Sequence, residues 1–178
     1  TDVTISSNTV DYVYSSTDNT ASGAGIYLLR PGNTTVVGNT IGHTNISTAT
    51  SLLAPGGIGV NGAYGNLLIS GNTIRDTTMY GMYLVNGFDT GAIIVSGNGV
   101  YNPAYTGIYV FEQNNAAVIG NTVQTTAATA NIAAIRALGL VGTHLENITI
   151  SNNTILAAGD QQISVTYADD VVFSGNNI

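Results

Sequence analysis

The sequence contains no cysteine, no lysine and no tryptophan, and it has only three arginines (Arg30, Arg75, Arg136) and three prolines. Without cysteine there is no disulfide and no thiolate metal site, although the compartment stays open because exported proteins also dispense with the residue. Three cations against ten acids leave a net charge of −7. Binding to a phosphate backbone needs clustered positive charge, so a nucleic-acid partner is not expected. No run approaches the ~20 apolar residues of a membrane-spanning helix, so membrane insertion is not expected either. Charged residues make up only 7% of the chain, yet 44% of it is hydrophobic, which is too apolar for a disordered segment. At 178 residues the reading is a single domain over 1–178.

What the chain does have is one phrase written seven times: VTISSNTV, TVVGNTI, LLISGNTI, IIVSGNGV, AAVIGNTV, ITISNNTI and VVFSGNNI. Aligned on Asn8, Asn39, Asn72, Asn98, Asn121, Asn153 and Asn176, the copies carry three columns of core candidates, five and three residues before the Asn and two after it. Twenty of these twenty-one positions are apolar, Thr34 being the exception. Apolar residues two apart give the strand period with one face inward. The residue before the Asn is Ser7, Gly38, Gly71, Gly97, Gly120, Asn152 or Gly175, a set dominated by residues that accept positive φ, so a bend is expected there.

A second apolar run follows each of the first six copies: GIYLL, GIGVN, GMYLV, GIYVF, AIRAL and QISVT. The unit is therefore strand, bend, strand, loop, strand. Its Asn-to-Asn spacings of 31, 33, 26, 23, 32 and 23 residues fall in the range of solenoid repeats. A spacing of two excludes helical repeats. A jelly roll would need hairpin turns between copies, and these are missing.

These phrases resemble the right-handed parallel β-helix family, the pectate-lyase-like superfold, and the resemblance spans the whole chain. It implies an all-β, right-handed single-stranded parallel β-helix of six to seven coils. It also implies that the seven asparagines stack as an internal ladder, one coil over the next at ~4.8 Å. On this reading none of the seven is catalytic. Residue 1 opens inside one copy and residue 178 closes another. The expectation is a segment of a longer solenoid, meeting further coils or homo-oligomer partners at its ends.

Function is expected off the ladder. The stretches DYVYSSTDNTASGAG and GHTNISTATSLLAPGG lengthen the first two coils, and NGFDTGA and GLVGTHLEN the third and fifth. If Ile26, Ile58, Met82, Ile108, Ile135 and Ile163 face inward, the next positions face out as a column of Tyr27, Gly59, Tyr83, Tyr109, Arg136 and Ser164. Stacked phenols suit the faces of sugar rings. The expected ligand-binding set is Tyr27, Tyr83, Tyr109 and Arg136, with Glu112 and Asp89 at the margin.

The function expected is a structural, adhesive or glycan-binding module of an extracellular, cell-surface or virion protein. The family resemblance adds a rival, a uronan lyase or C5-epimerase, with Tyr83, Tyr109, Arg136 and His144 as candidate catalytic groups: a base, a proton donor and a cation to neutralise the uronate. The acidic motifs of the family's lyases, polygalacturonases and epimerases are absent, and the adjacent Asp169 and Asp170 read as a solvated loop. His43 and His144 look isolated, so no histidine metal cluster is expected. No cofactor is called for, and Ca²⁺ held by loop carboxylates stays open. A third reading, ice binding, rests on Thr9, Thr40, Thr73, Thr122 and Thr154, a single column broken by Gly99 and Asn177.

Overall fold

The computed structural model describes residues 2–15, 23–46, 56–87, 91–125, 133–157 and 161–178. Alternation of apolar and small polar residues builds three parallel sheets of seven, six and six strands that wrap one core. The first sheet holds Val3–Ser6, Thr34–Val37, Leu67–Ser70, Ile93–Ser96, Ala116–Ile119, Ile148–Ser151 and Val171–Ser174. The second holds Thr9–Asp11, Thr40–Gly42, Thr73–Arg75, Gly99–Tyr101, Thr122–Thr125 and Thr154–Ala157. The third holds Ile26–Leu29, Ile58–Asn61, Met82–Gly87, Ile108–Gln113, Ala133–Leu138 and Gln161–Thr166. Spatial order in each sheet follows sequence order, so every circuit of the chain climbs by one coil.

The registers pair like positions of the repeat. Ile5, Val36 and Ile69 lie over one another, as do Ile41, Ile74 and Val100. Their side chains merge into one continuous core that runs the length of the solenoid. Full burial of each such branched side chain stabilises the fold by about 1.5–3 kcal/mol. Thr34, the polar exception in the pattern, is buried like Leu67, Ile93, Ala116 and Ile148 of its column, whereas Val3 and Val171 in the terminal coils are not.

The bend between the first and second sheets is made by one residue per coil with φ between 54° and 64°, Ser7 and Asn152 included. It delivers the following Asn into the interior. The backbone N–H and the Nδ2 of Asn72 both donate to Asn98 Oδ1, at 2.9 and 3.0 Å. Its second Nδ2 proton goes to the carbonyl of Val36 in the coil before, at 3.0 Å. The same double contact joins Asn8 to Asn39, Asn39 to Asn72, Asn98 to Asn121, Asn121 to Asn153 and Asn153 to Asn176. Asn39, Asn72, Asn98, Asn121 and Asn153 are buried, while Asn8 is exposed and Asn176 half-buried. A buried amide is thus fully bonded, where an unpaired one costs ~1–3 kcal/mol.

The corner into the third sheet uses glycine for a different reason. A Cβ on Gly57 or Gly81 would run into the inward side chain of the second sheet (Ile74 or Val100) and the next coil's carbonyl. Within the two long excursions, Tyr14–Ser15 pairs in parallel with Asn45–Ile46, which adds a two-stranded sheet outside the main three. Within GLVGTHLEN, Leu140 and Thr143 close an antiparallel bridge and Leu145 pairs with Ala168 of the next coil. Among the described residues no helix is long and apolar enough to cross a membrane.

Candidate functional site

The outer face of the third sheet carries the expected column, with Tyr27, Gly59, Tyr83, Tyr109, Arg136 and Ser164 in direct register. The prediction that all of it faces solvent is corrected. Tyr83 and Tyr109 are only 4% and 9% exposed, whereas Tyr27 keeps 42%. The cause is a second layer. Tyr80, from the turn before Met82, stacks on Tyr83 at 5.0 Å between ring centroids and leans on Tyr109 at 5.3 Å. Phe111 stacks on Tyr109 at 5.7 Å, and Leu138 packs against the same cluster. Tyr105, from the turn before Ile108, touches Tyr80 at 6.2 Å and remains 46% exposed. The wall is therefore a packed aromatic base with open rings at Tyr27 and Tyr105.

Arg136 crowns this base. Its guanidinium carbon lies 5.5 Å above the centre of the Tyr109 ring, within reach of a cation–π attraction. Its Nε is buried and meets no acceptor. Glu112 sits at a positive-φ turn (51°) ending the strand Ile108–Gln113, close enough to raise both Tyr83 and Tyr109 by its charge. Four of the expected site residues are thus brought together: Tyr83, Tyr109, Arg136 and Glu112. Tyr27 stands one coil beyond Gly59, with its hydroxyl 3.5 Å from Asn61 Nδ2. Asp89 lies outside the described residues.

The environment sets what these groups do. Burial pushes the Tyr109 phenol up to about 12, partly opposed by Arg136 and reinforced by Tyr80 and Glu112. Burial raises Tyr83 further and lifts Tyr80 as well. Near neutral pH all three are protonated hydrogen-bond donors. A general base works best with a pKa near the operating pH, so Tyr83 and Tyr109 are ill suited to proton abstraction.

The histidines correct the sequence reading, which treated them as isolated. His144 Nδ1 is 3.0 Å from Asp169 Oδ2 in the next coil, and its ring lies 6.1 Å from that of Tyr167. Its partners are thus Asp169 and Tyr167, and among the described residues none of its contacts is with Arg136, Tyr83 or Tyr109. His43 Nδ1 is 2.7 Å from Asp11 Oδ1, its Nε2 is 3.8 Å from Asp76 Oδ2, and Tyr12 stacks on it at 4.7 Å with the planes 5° apart. The hydrogen bond from His43 holds the Asp11 carboxyl below the usual carboxylate range. Among the described residues no three His, Asp or Glu side chains gather as a metal site. Asp170 occupies a positive-φ position (53°) before the last strand, and its carbonyl accepts from Ile148 N–H.

Sequence reasoning missed Tyr80 and Tyr105 because they precede the repeated run and occupy no repeated position. The histidine pairs had a usable signal: Tyr12, His43 and Asp76 each stand four residues after a ladder asparagine, which fixes them in neighbouring coils. The threonine column is real, with Thr9, Thr40, Thr73, Gly99, Thr122 and Thr154 in register. The space left by Gly99 is taken by the Tyr101 ring, and the adjacent column of Asp11, Gly42, Arg75 and Tyr101 is no second row of threonines. A groove of about 620 Å³ on the outer face of the first sheet is lined by Asn33, Thr35, Asn66, Leu68 and Ile94 among others, and none of the expected site residues borders it.

Comparison with known proteins agrees with this architecture. No curated protein sequence matches the chain. The crystal structure of the Dettilon tailspike protein superposes with a TM-score of 0.59 at 17% identity, over 98% of this chain and 45% of that one. The chain therefore spans less than half of the tailspike's length, and at that identity the likeness is one of fold. A family model described as a right-handed beta helix region matches residues 1–178. Coils, ladder and family model coincide along the whole chain, which belongs to the right-handed β-helix family.

Proposed function

We propose that this chain is a glycan-binding, adhesive module of a larger extracellular, cell-surface or virion protein, a rigid β-helix that holds sugar without turning it over. The observation that carries the reading is the tyrosine wall. Tyr27 and Tyr105 are 42% and 46% exposed, and Tyr105 rests on the packed base of Tyr80, Tyr83 and Tyr109. Flat phenol faces with polar tips, held without loss of side-chain freedom, are what a sugar ring packs against. Amides extend the surface at Asn61 and Asn86, whose side chains are bonded to each other at 3.2 Å. The fold likeness to a tailspike protein supports the surface setting.

The same wall argues against elimination chemistry, because its buried phenols stay protonated and the chain's two histidines are engaged by aspartates elsewhere. The test is incubation with alginate, pectate and neutral glycans, with and without Ca²⁺. Saturable binding without new absorbance in the unsaturated-uronate band is expected, weakened about tenfold in Tyr27→Ala and in Tyr105→Ala. New absorbance, or no binding to any glycan, would overturn it.

A further inference from the structure

Arg136 is one of only three arginines in a chain of net charge −7, yet no carboxylate pairs with it among the described residues: the ion pairs there are His43 with Asp11 and Asp76, and His144 with Asp169. Its Nε–H is out of water and has no acceptor, while the guanidinium carbon lies over the Tyr109 ring, 5.5 Å from its centre. A buried polar group without a partner requires an explanation. Arginine in particular offers a planar fork of donors matched to an oxyanion.

Two further donors stand beside it. Tyr80 and Tyr109 have ring centroids 5.3 Å apart, both feel the charge of Arg136, and neither hydroxyl has a hydrogen-bond partner among the described residues. Burial keeps both phenols neutral, so they donate to an anion and do not repel it. Glu112, whose charge reaches Tyr109, makes no ion pair with Arg136, and among the described residues no carboxylate closes the fork.

We propose that Arg136, with the Tyr80 and Tyr109 hydroxyls, receives an oxyanion carried by the sugar, a carboxylate or a sulfate, so that the ligand of the wall is an acidic glycan. This rests on the glycan-binding reading and adds the charge of the ligand to it. The overall negative charge of the protein does not forbid it, because charges beyond a Debye length of ~8 Å at physiological salt are screened while the contact at Arg136 is direct. Recognition is local and charge-assisted.

The experiment measures retention of polygalacturonate, dextran sulfate and neutral dextran by the whole chain at physiological ionic strength. The comparison variant is Arg136→Gln, which keeps the length and planarity of the side chain, and its fold is verified by circular dichroism. Arg136→Lys separates the fork from mere charge. At least one acidic polymer is expected to bind about tenfold or more tighter than dextran. That preference should vanish in Arg136→Gln and be only partly kept in Arg136→Lys. Polygalacturonate alone assigns a carboxylate; dextran sulfate alone assigns a sulfate. Equal retention of dextran, or an acidic preference untouched in a folded Arg136→Gln, overturns the proposal while leaving glycan binding intact. Failure to retain any glycan overturns both.

Discussion

Asn98 gives Asn121 two hydrogen bonds at once, from its backbone N–H at 3.0 Å and from Nδ2 at 2.9 Å, all onto one side-chain oxygen. Asn121 repeats the arrangement toward Asn153. A single amide therefore holds the bend of its own coil and the spacing to the next. Removing it strands donors that water cannot reach.

Asn121→Ala should lower the unfolding free energy by about 2–5 kcal/mol, from two orphaned donors of Asn98 and a lost amide in a closed interior. Asn8→Ala, at an exposed member of the ladder, should cost under about 1 kcal/mol. Urea unfolding of both variants checks the gradient, and equal losses would contradict burial as its cause.

The glycine corner makes a second prediction. A Cβ at position 81 meets a backbone carbonyl, that of Gly107, and the Val100 side chain. A carbonyl in a parallel ladder cannot step aside cheaply. Gly81→Ala should cost about 1–3 kcal/mol from overpacking. Gly97→Ala has nothing within 4 Å and only its φ of 63° to strain it, so the cost is about 1 kcal/mol. Melting temperatures of the two variants decide between crowding and backbone conformation.

Tyrosine ionisation reports on the wall. An unfolded phenol titrates near its ordinary 10.0, whereas Tyr109 in the fold stays protonated up to about 12. As pH rises the unfolded chain loses protons first. Stability is full below pH 10 and declines as pH climbs through the folded value. Urea midpoints across the alkaline range should show this decline, and Tyr109→Phe should flatten it. Ultraviolet titration of the native chain should leave the Tyr80, Tyr83 and Tyr109 fraction of the ten tyrosines un-ionised after the exposed rings have titrated.

At the acid end the pair of Asp11 and His43 works in the opposite sense. The Asp11 carboxyl is held below its ordinary 3.8, chiefly by the hydrogen bond from His43. Its contribution is present above that pH and is lost as pH falls through the folded value. His43→Ala should shrink the loss of thermal stability on acidification, and added salt should mute the difference because both side chains are partly exposed.

The coils were legible in the sequence because their determinants recur in register: inward residues two apart, a bend residue and an asparagine. The wall was half legible. Period two placed Tyr27, Tyr83 and Tyr109 on the outer face correctly, but it carries no information about what lies above that face. Tyr80 and Tyr105 supply the cover from turns, where no periodicity marks them. The histidine pairs went unread for another reason. His43 is distant from Asp11 and Asp76 in the chain, and only counting from the ladder brings them to one corner.

The most direct measurement is hydrogen exchange of the asparagine side-chain amides in the native chain, followed by NMR with assignments from single Asn→Asp variants. The account predicts that the Nδ2 protons of Asn39, Asn72, Asn98, Asn121 and Asn153 exchange slowly, at rates set by global unfolding, and that those of Asn8 exchange quickly. Seven amides exchanging at the rate of free asparagine would contradict the stacked interior, and with it the register that assembles the tyrosine wall.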